Sequence, residues 1–402
     1  MDHLYLDNNA TTKPAPQVVE AIAHVHEELW ANPSSVHRFG QLVRQRLDLA
    51  RVAVARLLGG RDREIVFTSG GTESDNLALH GVLDAALEHG ADAPTPLLLT
   101  SRMEHSAVLD PGAALERRGV DMSVLPVDGC GRIDPAVLGA ALADHVAPGR
   151  VILVSIQWAN NETGVLQPMH ELASVCREAT RPAGCRIVLH TDATQVVGKI
   201  DVDVGAAQVD LLTLSAHKFH GPKGIGALWM RSGMRLRPQN LGGPQERKRR
   251  GGTENAAGIV GLGVAAELGL SFLADGAAVE KCRARRDRFE RALCAALPDT
   301  VVNGGDAPRL WTTSNLGFPA LEAEALLLAM SEKGLCASAG AACSSGSLEP
   351  SPVLLAMGIP EKIAHGSVRF SLSRFTTDDE IDGALEIVPQ IVEKLRRTLP
   401  VG

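Results

Sequence analysis

Short apolar runs alternate with longer amphipathic stretches between about residues 60 and 230. "EIVFTS", "PLLLTS", "RVILVSI", "RIVLHTD" and "VDLLTLS" are rich in leucine and β-branched residues, and each closes on small or polar ones. That is the pattern of strands buried on both faces. "SDNLALHGVLDAALEHG" and "MHELASVCREAT" have helical spacing, with Pro168 placed to open the second. The alternation predicts a mostly parallel sheet covered by helices. Ligands of such sheets bind beyond the carboxyl ends of the strands, so the polar residues just after each run are the candidates for chemistry.

Beyond residue 255 the pattern changes. "ENAAGIVGLGVAAELGLSFLADGAAVEKCRARRDRFERALCAAL" reads as one long helix or two in succession. Shorter strands are expected at "TSNLGF", "GLCASAG" and "SVRFSLS", before a closing helix with an acidic start, "DDEIDGALEIVPQIVEKLRRTL". This is the organisation of a second, α+β domain. There is no tandem repeat and no disordered linker.

With 402 residues the chain can bury an ample core. Aromatic residues make up only 3%, so aliphatic packing and close approach at Ala and Gly must build it. A net charge of -7 argues against nucleic acid as a partner, the short basic knot "ERKRR" at 246–250 notwithstanding. The seven cysteines are odd in number and form no CxxC pair, which fits free thiols in a reducing compartment. "MDHLYLDNNATTKP" has no signal-peptide pattern, and no uninterrupted apolar run approaches membrane-spanning length. A cytoplasmic enzyme without a membrane partner is the expectation.

Several segments carry candidate chemistry. In "FTSGGTESDN" a strand meets a Gly-Gly turn and a helix opens, with Thr72 and Asp75 at capping-box spacing. A helix start of that kind suits an anion such as phosphate, although neither a P-loop nor a GxGxxG motif is present. Asp192 in "HTDATQ" follows a strand and could bind a metal, cap a helix or pair with a cationic ring nitrogen. "TLSAHKFHGPKGIGALW" bunches Ser215, His217 and Lys218 with glycines that admit a ligand. A strand-end lysine, an upstream aspartate and a phosphate-binding helix start together suit pyridoxal phosphate. A zinc reading of His217 and His220 lacks a third ligand, so no metal is expected. His105 in "SRMEHSAV" is placed to stack on a cofactor ring and exchange protons. Arg369 and Arg374 in "SVRFSLSR" offer guanidinium groups for a carboxylate, and spacing does not choose between them. Cys343 sits in "AGAACSSGS", a run too poor in apolar surface for core, whereas Cys336 and the other five cysteines read as small core residues.

In these segments the chain resembles the cysteine desulfurases, fold-type I pyridoxal-phosphate enzymes, and most of all the NifS type. The likeness runs through "YLDNNATT", "NPSSVHRFG", "FTSGGTESDN", "MEHSAV", "WANNETG", "HTDATQ", "AHKFHGPKG", "QERKRRGGTEN", "SAGAACSSGSLEPS" and "SVRFSLSR", nearly the whole chain. Pro244 and Ser373 are small departures from common family patterns, the latter in keeping with the NifS type. The resemblance implies a large α/β domain at 15–258 with a mostly parallel seven-stranded sheet. It also implies a small α+β domain at 1–14 and 259–402, carrying a persulfide loop at about 337–350.

By the same resemblance Lys218 is the Schiff-base lysine, Asp192 the partner of the pyridine nitrogen and His105 the ring-stacking histidine. Gln195 lies near the phenolic oxygen, and Gly71, Thr72, Ser215 and His217 form the phosphate cup. Thr253 reaches the phosphate of a neighbouring subunit, which implies a homodimer. Asn161 and Arg369 hold the substrate carboxylate, and Cys343 takes the sulfur as a persulfide. The implied reaction converts L-cysteine to L-alanine, with Lys218 removing the Cα proton, and passes sulfur to an iron–sulfur scaffold protein of the NifU kind for nitrogenase clusters. A selenocysteine lyase, an aminotransferase and a non-enzymatic sulfur carrier are the rivals. Cys343 speaks against the second and Lys218 against the third.

Overall fold

The computed structural model describes residues 3–88, 93–340 and 349–398. A two-residue strand β1 (Leu4–Tyr5) precedes seven strands of one sheet. These are β2 (Ile65–Thr68), β3 (Leu97–Ser101), β4 (Asp121–Leu125), β5 (Val151–Ser155), β6 (Arg186–Asp192), β7 (Leu211–Ser215) and β8 (Gly226–Met230). Their order is β2-β8-β7-β6-β5-β3-β4. Neighbours from β7 to β4 pair in parallel, while β8 runs antiparallel to both β7 and β2. The expected mostly parallel sheet is present, with β8 as its reversed strand.

Side chains alternate between two apolar layers, as the pleat requires. Val66, Leu98, Leu153, Val188, Leu211 and Leu228 meet the helix Gly71–Leu87 on one face. Phe67, Leu99, Val154, Leu189 and Leu214 face the opposite core. Burial on both faces is why these strands read as unbroken apolar runs. The sheet's edge strand β4, "DMSVL", is half exposed, and its mixed sequence hides it from such a reading.

The long apolar stretch after residue 255 is two helices, Ala256–Ala274 and Gly276–Ala296. Asp275 separates them and caps the second by accepting the Ala278 N–H at 3.0 Å. By length and composition the first helix could cross a membrane, more apolar reach than the sequence pattern had suggested. It carries Glu267, and Ile259, Leu262, Ala265 and Ala266 join the core of the main sheet. A Cβ on Gly263 would stand 2.6 Å from Ala50 Cβ in the helix Arg38–Leu57. Small residues therefore let helices approach closely, as a chain poor in aromatics requires.

A second core lies beside the first. Strands β9 (Val301–Val302), β10 (Thr313–Gly317) and β12 (Ser367–Ser371) form an antiparallel sheet in the order β12-β10-β9. Phe289, Phe318, Phe370, Ile381 and Val388 fill the space beneath it and the closing helix Asp378–Thr398. β1 pairs in parallel with β11 (Leu335–Cys336), so the chain's start is held by its end. From there residues 7–12 cross to the main sheet, where Thr12 N–H donates to His217 O at 2.9 Å.

Candidate active site

The carboxyl ends of β3, β5, β6 and β7, together with the turn after β2, surround a cavity of about 560 Å³. Every residue expected in the site lines it except Thr253 and Cys343. Thr253 is exposed on this chain, and Cys343 lies outside the described residues.

At one end is the start of the helix Gly71–Leu87, whose first N–H groups have no intrahelical partners. The capping box expected at Thr72 and Asp75 is not what forms. Gly70 is the N-cap without a side-chain bond, and Glu73 accepts the Ser69 N–H at 2.7 Å instead. That leaves Thr72 on the cavity wall and turns Asp75 inward, where it is fully buried. A Cβ on Gly71 would press on Thr194 Oγ1 at 3.2 Å, so glycine keeps this end of the cavity open. Ser215 and His217 complete the cup. His217 Nδ1 lies 3.1 Å from Thr11 Oγ1, and burial with the charges of Lys218, Lys223 and Lys199 pushes it down to about 4, so it is a neutral imidazole at pH 7.

At the far side Asp192 ends β6 and accepts the Thr194 N–H at 2.8 Å. Two further carboxyl groups that sequence reasoning did not assign lie buried nearby. Burial, with the charges of Asp192 and Glu104, raises Asp75 well above the carboxylate range; burial also raises Glu104, to about 8. Glu104 therefore holds a proton at neutral pH. Beneath them His190 bonds Ser155 Oγ at 2.8 Å and Thr213 Oγ1 at 3.1 Å, and burial pushes it down to about 3.

Lys218 stands on the short turn Ala216–Lys218 after β7, and its Nζ donates to Asn9 O at 2.7 Å and Ala10 O at 2.9 Å. Asn9 is a further residue the sequence did not reveal, because "YLDNNATT" reads locally as a polar loop. It is buried, and its amide donates to Asn161 O at 3.0 Å and Thr313 Oγ1 at 2.9 Å. Its carbonyl also accepts from Gln195 Nε2 at 3.0 Å. His105 caps the helix Ser106–Glu116, its Nδ1 accepting the Ala107 N–H at 3.1 Å. That bond places the neutral ring's proton on Nε2.

Of the two arginines the structure selects Arg369 for the cavity. It is buried on β12, donates to Asn161 O at 3.1 Å and Gly340 O at 3.3 Å, and pairs with Asp7 at 2.8 Å. Among the described residues its buried Nε has no hydrogen-bond partner. Arg374 turns away to lie over the Phe375 ring at 5.0 Å. Cys336 is on β11 as expected, and Cys176, Cys185 and Cys282 are buried; Cys130, Cys294 and Cys336 are partly exposed rather than core. In the basic knot Glu246 is buried on Arg51 at 2.7 Å, and Arg250 pairs with Glu73 at 2.8 Å.

The class-V aminotransferase family profile matches residues 4–383. A cysteine desulfurase of Trichormus azollae is 48% identical over 400 residues, spanning 100% of this chain and 95% of the relative. The cysteine desulfurase NifS of Azotobacter vinelandii is 45% identical over 401 residues, with coverage of 100% and 95%. A solved structure described as a NifS-like protein superimposes with a TM-score of 0.87 at 32% identity, covering 98% of this chain and 100% of the other. The chain belongs to the class-V aminotransferases, in the cysteine desulfurase group.

Pyridoxal phosphate is the cofactor of this group, and the cavity of the desulfurase fits it. The cup at Gly71, Thr72, Ser215 and His217 offers uncharged donors to a phosphate. The buried Thr194 hydroxyl has no protein partner there. Lys218 would supply the amine, Asp192 would face the pyridine nitrogen, and His105 would offer a ring on the cavity wall. The bound cofactor serves as an electron sink for the carbanion formed at the substrate's Cα. Lys218, held by two backbone carbonyls, is the cavity lysine that can take a proton from that carbon.

Proposed function

We propose that this desulfurase converts L-cysteine to L-alanine and carries the sulfur on Cys343 as a persulfide. The observation that carries the reading is the joint placement of Lys218, Asp192 and Arg369 around one cavity, in a chain 45% identical to NifS of Azotobacter vinelandii over its full length. Arg369, paired with Asp7 and lined up beside Asn161, is the group to receive the substrate carboxylate. In the sulfur-transfer step the Cys343 thiolate attacks the substrate sulfur. A new S–S bond forms, the substrate C–S bond breaks, and its electron pair leaves with the carbon skeleton, which takes up a proton to become alanine. The persulfide then passes to an iron–sulfur scaffold protein, and resemblance to the NifS type points to nitrogenase clusters and a cytoplasmic setting.

A homodimer belongs to the same reading. Thr253 is exposed, and its neighbour Glu254 binds Arg44 at 2.7 Å. Trp30, 70% exposed, and Val36, 94% exposed, lie in the segment just before the helix that carries Arg44. A second copy covering this surface would bring Thr253 to the partner's phosphate cup.

Intact-protein mass spectrometry after brief incubation with L-cysteine, with alanine assayed in parallel, tests the chemistry. One added sulfur mapping to Cys343, lost in Cys343→Ser, together with alanine release, is the expected result. Alanine without sulfur on Cys343 would overturn the thiol's role. Absence of both products would overturn the substrate.

A further inference from the structure

Lys199 is a buried amine that the reaction outlined above does not use. It sits four residues after Gln195 in the turn that follows β6, 5% exposed, and Trp311 Nε1 donates to its backbone carbonyl at 2.7 Å. Its Nζ donates to Gln195 Oε1 at 2.6 Å and lies 3.4 Å from Asn9 Oδ1. Its charged neighbours are Lys218 and Arg369, both cations, and these with burial hold the amine well below the usual lysine range. A buried amine without a counter-ion is costly, and here its contacts are the oxygens of two amides.

Those contacts decide which way the Gln195 amide faces. With Oε1 on the Lys199 amine, Nε2 faces Asn9 O at 3.0 Å. Turning the amide over would set its oxygen against the Asn9 carbonyl and its NH2 against the lysine's N–H groups. The first contact would become repulsive and the second would lose the short bond that Oε1 now accepts, so the observed orientation is favoured from two sides. The second N–H of Nε2 remains for a ligand oxygen in the cavity that Gln195 lines.

We infer that Lys199 is a positioning residue: it locks the Gln195 amide so that the cofactor's ring oxygen meets an N–H donor and not a carbonyl. The inference rests on the reading that Gln195 adjoins that oxygen. A donor there favours the deprotonated, more negative oxygen, so losing it raises the apparent pKa at which the bound cofactor's absorbance changes.

The test is a pH titration of that absorbance in loaded wild-type protein, Gln195→Ala, Lys199→Met and the double variant. Gln195→Ala and Lys199→Met are each expected to raise the apparent pKa by about one unit, and the double variant no further, because both remove one device. No shift in Gln195→Ala overturns the placement of Gln195 and the inference with it. A shift in Gln195→Ala but none in Lys199→Met, or shifts that add, overturns the role of Lys199 alone. Should Lys199→Met not fold, a crystal structure of the unsubstituted holoenzyme decides. Nζ bonded to Oε1 with Nε2 toward the ring oxygen upholds the inference, and Nζ bonded elsewhere overturns it.

Discussion

Glu104 lies fully buried at the end of the turn after β3, bonded by the Ser101 hydroxyl at 2.8 Å and the Gln157 N–H at 2.8 Å. Burial outweighs those two bonds and lifts the carboxyl from 4.5 to about 8. The folded protein therefore holds a proton that the unfolded chain gives up above pH 4.5. Where the native state binds the extra proton, stability falls as pH rises, and the loss is complete once pH passes the folded value. Glu104→Gln keeps the shape without the titration. Urea denaturation should find the variant more stable than wild type by a few kcal/mol (on the order of 3) at pH 8, with the difference vanishing toward pH 4. A constant difference across that range would place the effect in packing instead. Lys218, Asp192 and Arg369 were legible in the sequence because strand ends and a familiar motif mark them. Asn9, Lys199 and Glu104 were not, since each also depends on a partner distant in the chain: Asn9 on Asn161 and Thr313, Lys199 on Asn9, and Glu104 on Gln157.

Among the elements, the reversed strand β8 sets the geometry of the phosphate cup. A Cβ at Gly226 would stand 2.6 Å from Leu214 O and 2.7 Å from Gly70 Cα, both backbone atoms that cannot move cheaply. The strand thus presses directly on the turn that starts the helix Gly71–Leu87. Gly226→Ala should cost about 1–3 kcal/mol in stability by thermal denaturation. It should also weaken cofactor retention, read as absorbance left after dialysis; full retention at reduced stability would detach β8 from the cup. Five strands of the sheet announce themselves as apolar runs. β8 does not, because "GALWM" follows a glycine-rich turn and looks like part of the lysine loop. β4 is missed for the opposite reason, having exposed positions in place of a continuous run.

For the whole molecule, the exposed Thr253 makes a prediction that only a dimer satisfies. Lys218→Ala and Thr253→Ala homodimers should each be nearly inactive in alanine release. A heterodimer of the two has one site with its own Lys218 and the partner's intact Thr253. Co-expressed subunits carrying different tags should recover about half of the wild-type activity per heterodimer, since one of two sites is whole. Failure to recover would mean that Thr253 serves its own chain. A mostly parallel sheet of five strands was readable from periodicity, while its seven-stranded extent and its fold type came only from the family resemblance. The crossing of the N-terminal segment between the two cores was not, because nothing in residues 7–12 says which distant strands they join.

That crossing has a consequence for how the protein is made. Asn9, whose carbonyl holds Lys218, is itself fixed by its N–H donating to Ser371 Oγ at 2.9 Å, and Asn8 donates to Ser371 O. The residue that steadies the reactive amine is synthesised 362 residues before its anchor. A nascent chain can assemble the sheet and the phosphate cup, but its lysine stays unclamped until β12 has been synthesised and docked. A chain interrupted before β12 therefore lacks the finished clamp on its lysine.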